Sequence, residues 1–439
     1  MSDSYVLPGK AVGLDVFEEN TYRKVTWRLA PILVIGFLLA YLDRVNISFA
    51  KLQMQSDLGL SNAAYGLGAS VFFLGYFLFE VPSNLMLNRV GARKWIARIM
   101  VSWGLASAAM AFVQSETTFY VLRFILGVAE AGFMPGVILY FTYWFPAKRR
   151  ARINALFMIS VPLSGVIGGP VAGYVLSTFG GIGHLTGWQW LFILEGGVTT
   201  IFGFIIFFFL DDGISKAKWL TDDEKTLLNA NLQHDPGSSH HRILDALKHP
   251  MTLMLSVIYI LMLMGFYGMT FWLPQLIRNT GVTSTLVVGL LTAIPYGAAG
   301  LGMILAGRSS DRSGERRWHL VVTIAVGAVG YFLSAHFEND TLVAIIALVI
   351  ASTGVMACLP VFWSIPTVFL SGTAAAAGIA FINSFGNLGG AISPYLVGKV
   401  VDVTGSPSQG LMVIAVAMAI ASVLSAIVLR KDLSLLSGK

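Results

Sequence analysis

Apolar runs of membrane-spanning length recur along the whole chain, and this feature constrains the fold more than any other. The first run extends from Trp27 to Phe49, and an α-helix of about 20 apolar residues crosses a hydrocarbon layer of about 30 Å. Only 12% of the 439 residues are charged, against roughly 25% in an average globular chain, so a water-exposed surface over most of the molecule is excluded. The polar segment before Lys24 precedes the first run, so no short signal peptide explains it. The sequence therefore predicts an all-α membrane protein.

The runs, bounded by Gly, Pro and charged residues, predict twelve transmembrane helices. They lie near residues 27–49, 63–87, 96–114, 119–143, 153–178, 188–210, 251–273, 285–307, 318–337, 341–363, 374–399 and 407–429. The longest polar interruption divides them six and six. The predicted domains are a cytoplasmic segment 1–26, a six-helix bundle 27–210, a cytoplasmic linker 211–250, a second six-helix bundle 251–429 and a cytoplasmic tail 430–439.

The distribution of Lys and Arg predicts the orientation. With both termini cytoplasmic, most of the 29 basic residues fall on the inside, and the outer loops hold only Lys51, Arg278 and Lys399. Positive-inside asymmetry of this kind is typical of multi-pass proteins of the bacterial inner membrane. The basic charge therefore reflects topology and contact with lipid, and it does not call for nucleic acid. Cys358 is the single cysteine, which excludes an intrachain disulfide.

The linker contains a helix start signal. Thr221 and Glu224 have the spacing of a capping box, and Leu227, Leu228 and Leu232 follow. This pattern predicts a short amphipathic helix at the membrane surface. A solvated charged loop with only transient helix is the alternative.

The two predicted bundles are related by an internal repeat. Residues 88–95, between helices 2 and 3, align with residues 311–318, between helices 8 and 9, and Pro170 and Pro394 repeat at nearly the same offset. Two six-helix halves related by an axis along the membrane normal hold the substrate between them near mid-bilayer. The sequence thus predicts a transporter with a central cavity.

The loop from Gly307 to Arg317 resembles the G-x-x-x-D-R-x-G-x-R-R signature loop of the major facilitator superfamily. In the first half the pattern is degraded, with Asn84 in place of Gly and Asn88 in place of Asp. The resemblance implies a gating role for the loop residues that match it. These are Arg89, Gly91, Arg93, Asp311, Arg312, Gly314 and Arg316.

Four further segments resemble the anion:cation symporter family within that superfamily. They are residues 41–46, 79–84, 123–130 and 381–390. The family includes permeases for tartrate, sugar acids and aromatic acids. The resemblance covers nearly the whole chain, and it implies symport of an organic anion with protons by a carrier that is usually monomeric.

Five ionisable residues lie inside predicted membrane helices, where each costs roughly 2.5–3.5 kcal/mol on insertion scales. They are Asp43, Arg44, Glu80, Arg123 and Glu130. A protonatable carboxylate beside a fixed cation suits proton coupling, and the fork of an arginine suits a carboxylate substrate. Buried ion pairs that only hold helices together are the alternative.

These charges belong to the first half alone. At the repeat offset Asp43, Arg44, Arg123 and Glu130 correspond to neutral residues, namely Phe266, Tyr267, Ile346 and Thr353. We therefore expect the first half to bind the anion and the protons, and the second half to supply neutral polar and aromatic contacts.

The resemblance assigns roles to the charged residues. Arg44 would be the principal ligand of the substrate carboxylate, Asp43 and Glu130 the protonation sites, and Arg123 the partner of Glu130. Glu80, just before Pro82, is expected to support the signature loop.

Neutral cavity residues are expected from both halves. The resemblance places Tyr41 and Tyr76 along the cavity, and ordinary packing is the alternative for both aromatics. The expected partners from the second half are Trp363, Ser364, Asn383 and Asn387.

The leading functional hypothesis is uptake of a small organic anion with protons, a tartrate-like hydroxydicarboxylate or a sugar acid ahead of an aromatic carboxylate. Proton-coupled antiport or efflux of a small molecule is the alternative, because residues 165–173 resemble a glycine-rich motif of superfamily antiporters. An enzyme is not indicated, since the sequence shows no metal-ligand cluster, thiol pair, nucleotide-phosphate loop or other cofactor motif.

Overall fold

The structure is a computed structural model that describes residues 8–233, 250–338, 340–366 and 372–436. In these ranges it contains fifteen α-helices, short 3-10 turns and no strands. The helices of the first half are α1 (Pro8–Leu58), α2 (Asn62–Val90), α3 (Ala92–Ala109), α4 (Glu116–Glu130), α5 (Phe133–Thr142), α6 (Ala147–Met158), α7 (Ser160–Thr178) and α8 (Gly187–Phe209). The linker helix is α9 (Asp222–Gln233). The helices of the second half are α10 (Pro250–Asn279), α11 (Thr285–Ser313), α12 (Arg317–His336), α13 (Thr341–Trp363), α14 (Gly372–Thr404) and α15 (Pro407–Leu436).

The expected twelve-helix fold is confirmed. Eleven helical segments among the described residues are long and apolar enough to cross a membrane. The twelfth, α14, has 33 residues and falls outside that set, because Asn, Ser and Gly interrupt its apolar residues. Such a composition suits a helix that faces a cavity and its neighbouring helices more than lipid.

Helix α1 begins earlier than the sequence predicted, because its polar N-terminal part packs against cytoplasmic elements. Tyr22 is buried there and accepts a hydrogen bond from Asn231 of α9. Lys24 donates to both oxygens of Glu224 at 3.0 and 2.8 Å. The segment up to residue 26 is therefore helical from Pro8 onward and continuous with the first crossing.

The predicted capping box of the linker is present. The backbone N–H of Thr221 donates to Glu224 Oε2 at 2.8 Å, and the Glu224 N–H donates to Thr221 Oγ1 at 3.3 Å. Burial raises the pKa of the Glu224 carboxyl, but the hydrogen bonds from Lys24 and Thr221 outweigh it and leave that pKa below its usual range. The linker helix is thus joined to α1 by an ionised carboxylate at neutral pH. The remainder of the predicted linker, residues 234–249, lies outside the described residues.

The fourth crossing is broken where the sequence predicted one continuous helix. α4 ends at Glu130, and α5 begins at Phe133 after Gly132, which has a left-handed backbone with φ 86°. A Cβ atom at Gly132 would lie 2.4 Å from Ser83 Oγ, so the glycine supplies both the conformation and the close approach. The break places Glu130 at a helix end beside α2.

The two halves meet at the end of the bundle that the predicted topology places outside, which we call the outer end. Tyr65 of α2 donates to the Phe271 carbonyl of α10 at 3.0 Å. Asp402 of α14 accepts hydrogen bonds from the backbone of Asn62 and Ala63 at 2.9 and 2.7 Å. These bonds close the outer end across both halves.

Glycines allow α7 and α11 to approach closely near the same end. A Cβ atom at Gly289 would lie 2.2 Å from the Gly169 carbonyl oxygen, whereas one at Gly297 on the same helix would meet only the Val166 side chain at 3.8 Å. The glycine-rich segment 165–173 is therefore a helix contact between the halves.

Gly289→Ala is expected to keep the outer end from closing, because overpacking of a helix contact costs about 1–3 kcal/mol, roughly a fivefold to 150-fold shift toward the open state. A cysteine introduced at buried Ala64 reports this shift, since the sole native cysteine, Cys358, is buried. Its labelling by a membrane-impermeant maleimide should accelerate about tenfold in Gly289→Ala and stay unchanged in Gly297→Ala. Equal labelling in both variants would show that this contact does not hold the outer end shut.

Candidate functional site

The centre of the first half contains a buried ion pair between α1 and α4. Arg44 contacts Glu130 Oε1 through Nε at 2.7 Å and through Nη2 at 2.5 Å. Both contacts use the same carboxylate oxygen, and Glu130 Oε2 is buried without a hydrogen-bond partner in the part of the chain that the structure describes. The guanidinium of Arg44 thus does not form the two parallel hydrogen bonds that it can make with both oxygens of a carboxylate.

Aromatic rings surround the Arg44 guanidinium. Its Cζ atom lies 5.1 Å from the Tyr41 ring, 5.2 Å from the Tyr76 ring and 5.5 Å from the Phe72 ring. Cation–π attraction stabilises a desolvated guanidinium at such distances. Tyr41 and Tyr76, which were predicted to line the cavity, therefore contact Arg44, the residue predicted to bind the anion. Phe72 also contacts Arg44, and it was not among the predicted site residues.

Arg123 differs from its expected role as the partner of Glu130. Its Nε donates to the Gly68 carbonyl at 3.2 Å, and its guanidinium lies 4.8 Å from the Phe72 ring. Among the described residues it forms no ion pair within 4.0 Å, while Glu130 pairs with Arg44 instead. Arg123 is 1% exposed, so the site contains a second buried cation without a carboxylate.

Asp43 faces away from Arg44, as adjacent helical positions about 100° apart predict. Its carboxylate accepts hydrogen bonds from Trp103 Nε1 at 2.7 Å, Ser107 Oγ at 2.9 Å, Thr199 Oγ1 at 3.0 Å and Asn46 Nδ2 at 3.3 Å. These donors come from α1, α3 and α8. Asp43 is therefore held inside the first half, away from the second half.

Two more carboxyl groups complete the first half. Glu195 of α8 was not among the site residues predicted from the sequence. It lies within electrostatic range of Asp43 and beside the Asn46 side chain. Glu80 is buried, and its Oε2 has no partner. Toward the signature loop, the hydrogen bond of Glu80 among the described residues is made by its backbone carbonyl, which accepts from Asn84 at 3.0 Å. A supporting role of its carboxylate for that loop stays a prediction.

The second half contributes mainly aromatic rings. Tyr267 lies 4.4 Å from Phe73 of the first half, and the Trp363 ring lies 5.0 Å from Tyr259. Tyr259 and Tyr267 were not among the predicted cavity residues. The other predicted partners are part-buried on α14 or at the end of α13, namely Asn383, Asn387 and Ser364.

The signature loops are anchored differently in the two halves. Gly91, with φ 97°, leaves room for Asp212, whose Oδ1 would lie 2.6 Å from a Cβ atom there. The same Asp212 oxygen accepts from the Arg93 backbone N–H at 3.1 Å, and Arg93 Nε donates to the Phe207 carbonyl at 2.6 Å. The first loop is therefore fastened to the end of α8, while Arg89 at its start is exposed.

In the second loop, Gly314 ends α11 in a left-handed conformation with φ 67°. Asp311 lies 3.8 Å from Arg316, and exposed Arg312 precedes the turn. Hydrogen bonds from the N–H groups of Trp318 and His319 keep the pKa of Glu315 below its usual range, although burial alone raises it. This loop is a capped turn between two helices.

Comparison with known proteins gives a family match over most of the chain. The model described as Major Facilitator Superfamily matches residues 33–394 and 281–437. A bacterial homologue of the human lysosomal transporter Spinster, solved in an inward-facing, unoccupied conformation, has the same fold. Its TM-score is 0.76 at 17% identity, over 91% of this chain and 96% of that chain.

Three relatives are similar over nearly their whole length. A protein of Pseudomonas putida named for metabolite transport, NicT, is 49% identical over 90% of this chain and 91% of its own. A protein of Agrobacterium vitis named for tartrate transport is 45% identical over 98% and 95%. The quinolone resistance transporter of Acinetobacter baumannii is 42% identical over 94% and 96%.

Proposed function

The chain belongs to the major facilitator superfamily of membrane transporters, and on that premise we propose that it takes up a small organic anion together with protons. It is a multi-pass transporter and not an enzyme. The observation that carries the proposal is the buried Arg44–Glu130 pair, in which the guanidinium is only partly used and one carboxylate oxygen has no partner.

The pair links anion binding to protonation by competition. A substrate carboxylate and the Glu130 carboxylate require the same guanidinium, and both cannot occupy its fork. A proton on Glu130 removes the negative charge that holds Arg44, so the arginine becomes available to the substrate. Substrate and proton therefore bind together, which is the basic requirement of symport.

Arg123 supplies a second positive charge for the anion. Its guanidinium shares the Phe72 ring with Arg44, at 4.8 and 5.5 Å. Two desolvated arginines, of which only Arg44 forms an ion pair within 4.0 Å among the described residues, favour a dicarboxylate, or an acid with a further polar group. Tyr41, Tyr76, Trp363, Ser364, Asn383 and Asn387 would surround it.

Asp43 is the proposed second protonation site. It has four hydrogen-bond donors, but among the described residues no cation lies within 4.0 Å of it. The loop residues Arg89, Gly91, Arg93, Asp311, Arg312, Gly314 and Arg316 would control closure of the inner end. We further propose a monomer in the bacterial inner membrane with both termini cytoplasmic.

Efflux by proton antiport is the second candidate, and the similarity to a quinolone resistance transporter favours it. The glycine motif of α7 does not decide between the two, because it serves as a contact with α11. Two buried arginines favour anions over cationic drugs.

The direction of proton movement tests the proposal. Addition of a carboxylate substrate to proteoliposomes in weakly buffered medium should alkalinise the medium, because protons enter with the anion. Empty liposomes are the control. Acidification would instead support proton-driven antiport and contradict symport.

A further inference from the structure

Glu80 of α2 is buried, and one oxygen of its carboxylate has no hydrogen-bond partner among the described residues. The residue is 6% exposed, and the oxygen without a partner is Oε2. It forms no ion pair within 4.0 Å in the part of the chain that the structure describes. The proposed Arg44–Glu130 exchange does not use it.

The neighbours of Glu80 place it close to the proposed site around Arg44. Tyr76 lies one helical turn earlier on α2, and its ring contacts the Arg44 guanidinium at 5.2 Å. Glu80 lies within electrostatic range of Arg44 of α1 and of Tyr267 of α10. The carboxylate therefore lies near groups from both halves.

Helix geometry gives the separation of Arg44 and Glu80 along the axis of the bundle. α1 and α2 are joined by a short turn at the outer end, and Arg44 and Glu80 lie 14 and 18 residues from the helix ends Leu58 and Asn62. At 1.5 Å per residue, Glu80 lies about 6 Å farther than Arg44 from the outer end, that is, closer to the opposite, inner end of the bundle. A chain of a few carbon atoms spans that distance.

A buried acceptor without a donor is costly, and an ionised one more so. Arg44 forms no hydrogen bond with Glu80 among the described residues, because its Nε and Nη2 atoms both contact Glu130. Neither Tyr76 nor Tyr267 donates to Glu80 in the structure. A hydroxyl group carried by the ligand would supply the hydrogen-bond donor that Glu80 Oε2 lacks.

We propose that Glu80 forms a subsite for a hydroxyl group of the substrate, while Arg44 binds the carboxylate. This inference rests on the proposed function and narrows the substrate to hydroxylated acids. Glu80 Oε2 accepts the hydroxyl hydrogen, so a bound hydroxy acid satisfies both the arginine fork and the free carboxylate oxygen. An acid of the same carbon skeleton without hydroxyl groups leaves Glu80 unsatisfied and binds more weakly.

Three pairs of acids test this subsite, since the members of each pair differ only in hydroxyl groups. They are tartrate and succinate, gluconate and hexanoate, and mandelate and phenylacetate. Affinities are measured by calorimetry on detergent-purified protein. For at least one pair, the wild type should bind the hydroxylated acid about tenfold to 150-fold more tightly, the range expected for a hydrogen bond to a charged group.

Glu80→Leu should abolish this preference, because it lowers the affinity for the hydroxylated acid and leaves the affinity for the other acid unchanged. Binding of the partner acid without hydroxyls is then the control for folding, because it needs the same Arg44. Glu80→Gln retains an acceptor oxygen and should keep part of the preference. Glu116→Gln removes an exposed carboxyl group of the first half, outside the proposed site, and should leave the ratio unchanged.

The outcomes separate this inference from the proposed function. If the wild type binds carboxylates without preferring the hydroxylated member, or if the preference survives in Glu80→Leu, the subsite is wrong and the proposed function stands. If none of the six acids binds the wild type, the proposed function fails and the subsite with it.

Discussion

Arg44→Lys is expected to remove most substrate binding while the protein remains inserted and folded. Lysine keeps the positive charge but loses the fork that forms two parallel hydrogen bonds with a carboxylate. Loss of one charge-assisted bond, about 1.5–3 kcal/mol, corresponds to a roughly tenfold to 150-fold weaker affinity. The aromatic rings around the guanidinium add to the loss, because they stack on its flat face.

Calorimetric titration of the purified variant measures this effect. Arg98→Lys is a matched control, since Arg98 lies over the Trp95 ring at 3.9 Å on another helix and lies outside the proposed site. The control should bind substrate as the wild type does. Wild-type affinity in Arg44→Lys would show that the arginine only holds α1 and α4 together.

Glu130→Gln should separate substrate exchange from proton coupling. The amide keeps the shape of the side chain but cannot take up or release a proton, so Arg44 stays available to the anion at every pH. Net uptake driven by a pH gradient should therefore collapse, while exchange of internal for external substrate persists. Both are measured on the same proteoliposomes with labelled substrate.

Glu116→Gln is the control for this variant, because Glu116 lies at the exposed start of the same helix and, among the described residues, its side chain bonds to Tyr120 and not to the proposed site. It should retain gradient-driven uptake. Accumulation of substrate by Glu130→Gln under a proton gradient would rule out Glu130 as an obligatory coupling residue.

The sequence was sufficient for the fold because membrane-spanning helices follow from apolar length, which is a local property. The break after Glu130 was not predictable in the same way. It depends on contact between Gly132 and Ser83 of α2, and an isolated glycine in an apolar run fits a continuous membrane helix equally well. The early start of α1 likewise depends on its contacts with the linker helix.

The sequence was sufficient to predict which residues belong to the candidate site, but not which of them form an ion pair. Arg123 and Glu130 share a helix face, but two turns separate them by about 10.5 Å along the axis, which is too far for a direct ion pair. Glu130 therefore pairs with Arg44, 86 residues away in sequence. The unpartnered state of Glu80 also depends on tertiary packing, which no motif records.

Accumulation against a gradient is the most direct test of the central claim, which is uptake of an organic anion coupled to protons. Proteoliposomes with an acidic exterior, and with the membrane potential held at zero, are supplied with a labelled carboxylate that binds the wild type. The account predicts an internal concentration well above the external one, and loss of this excess when a protonophore dissipates the pH gradient. Simple equilibration, unchanged by the protonophore, would contradict it.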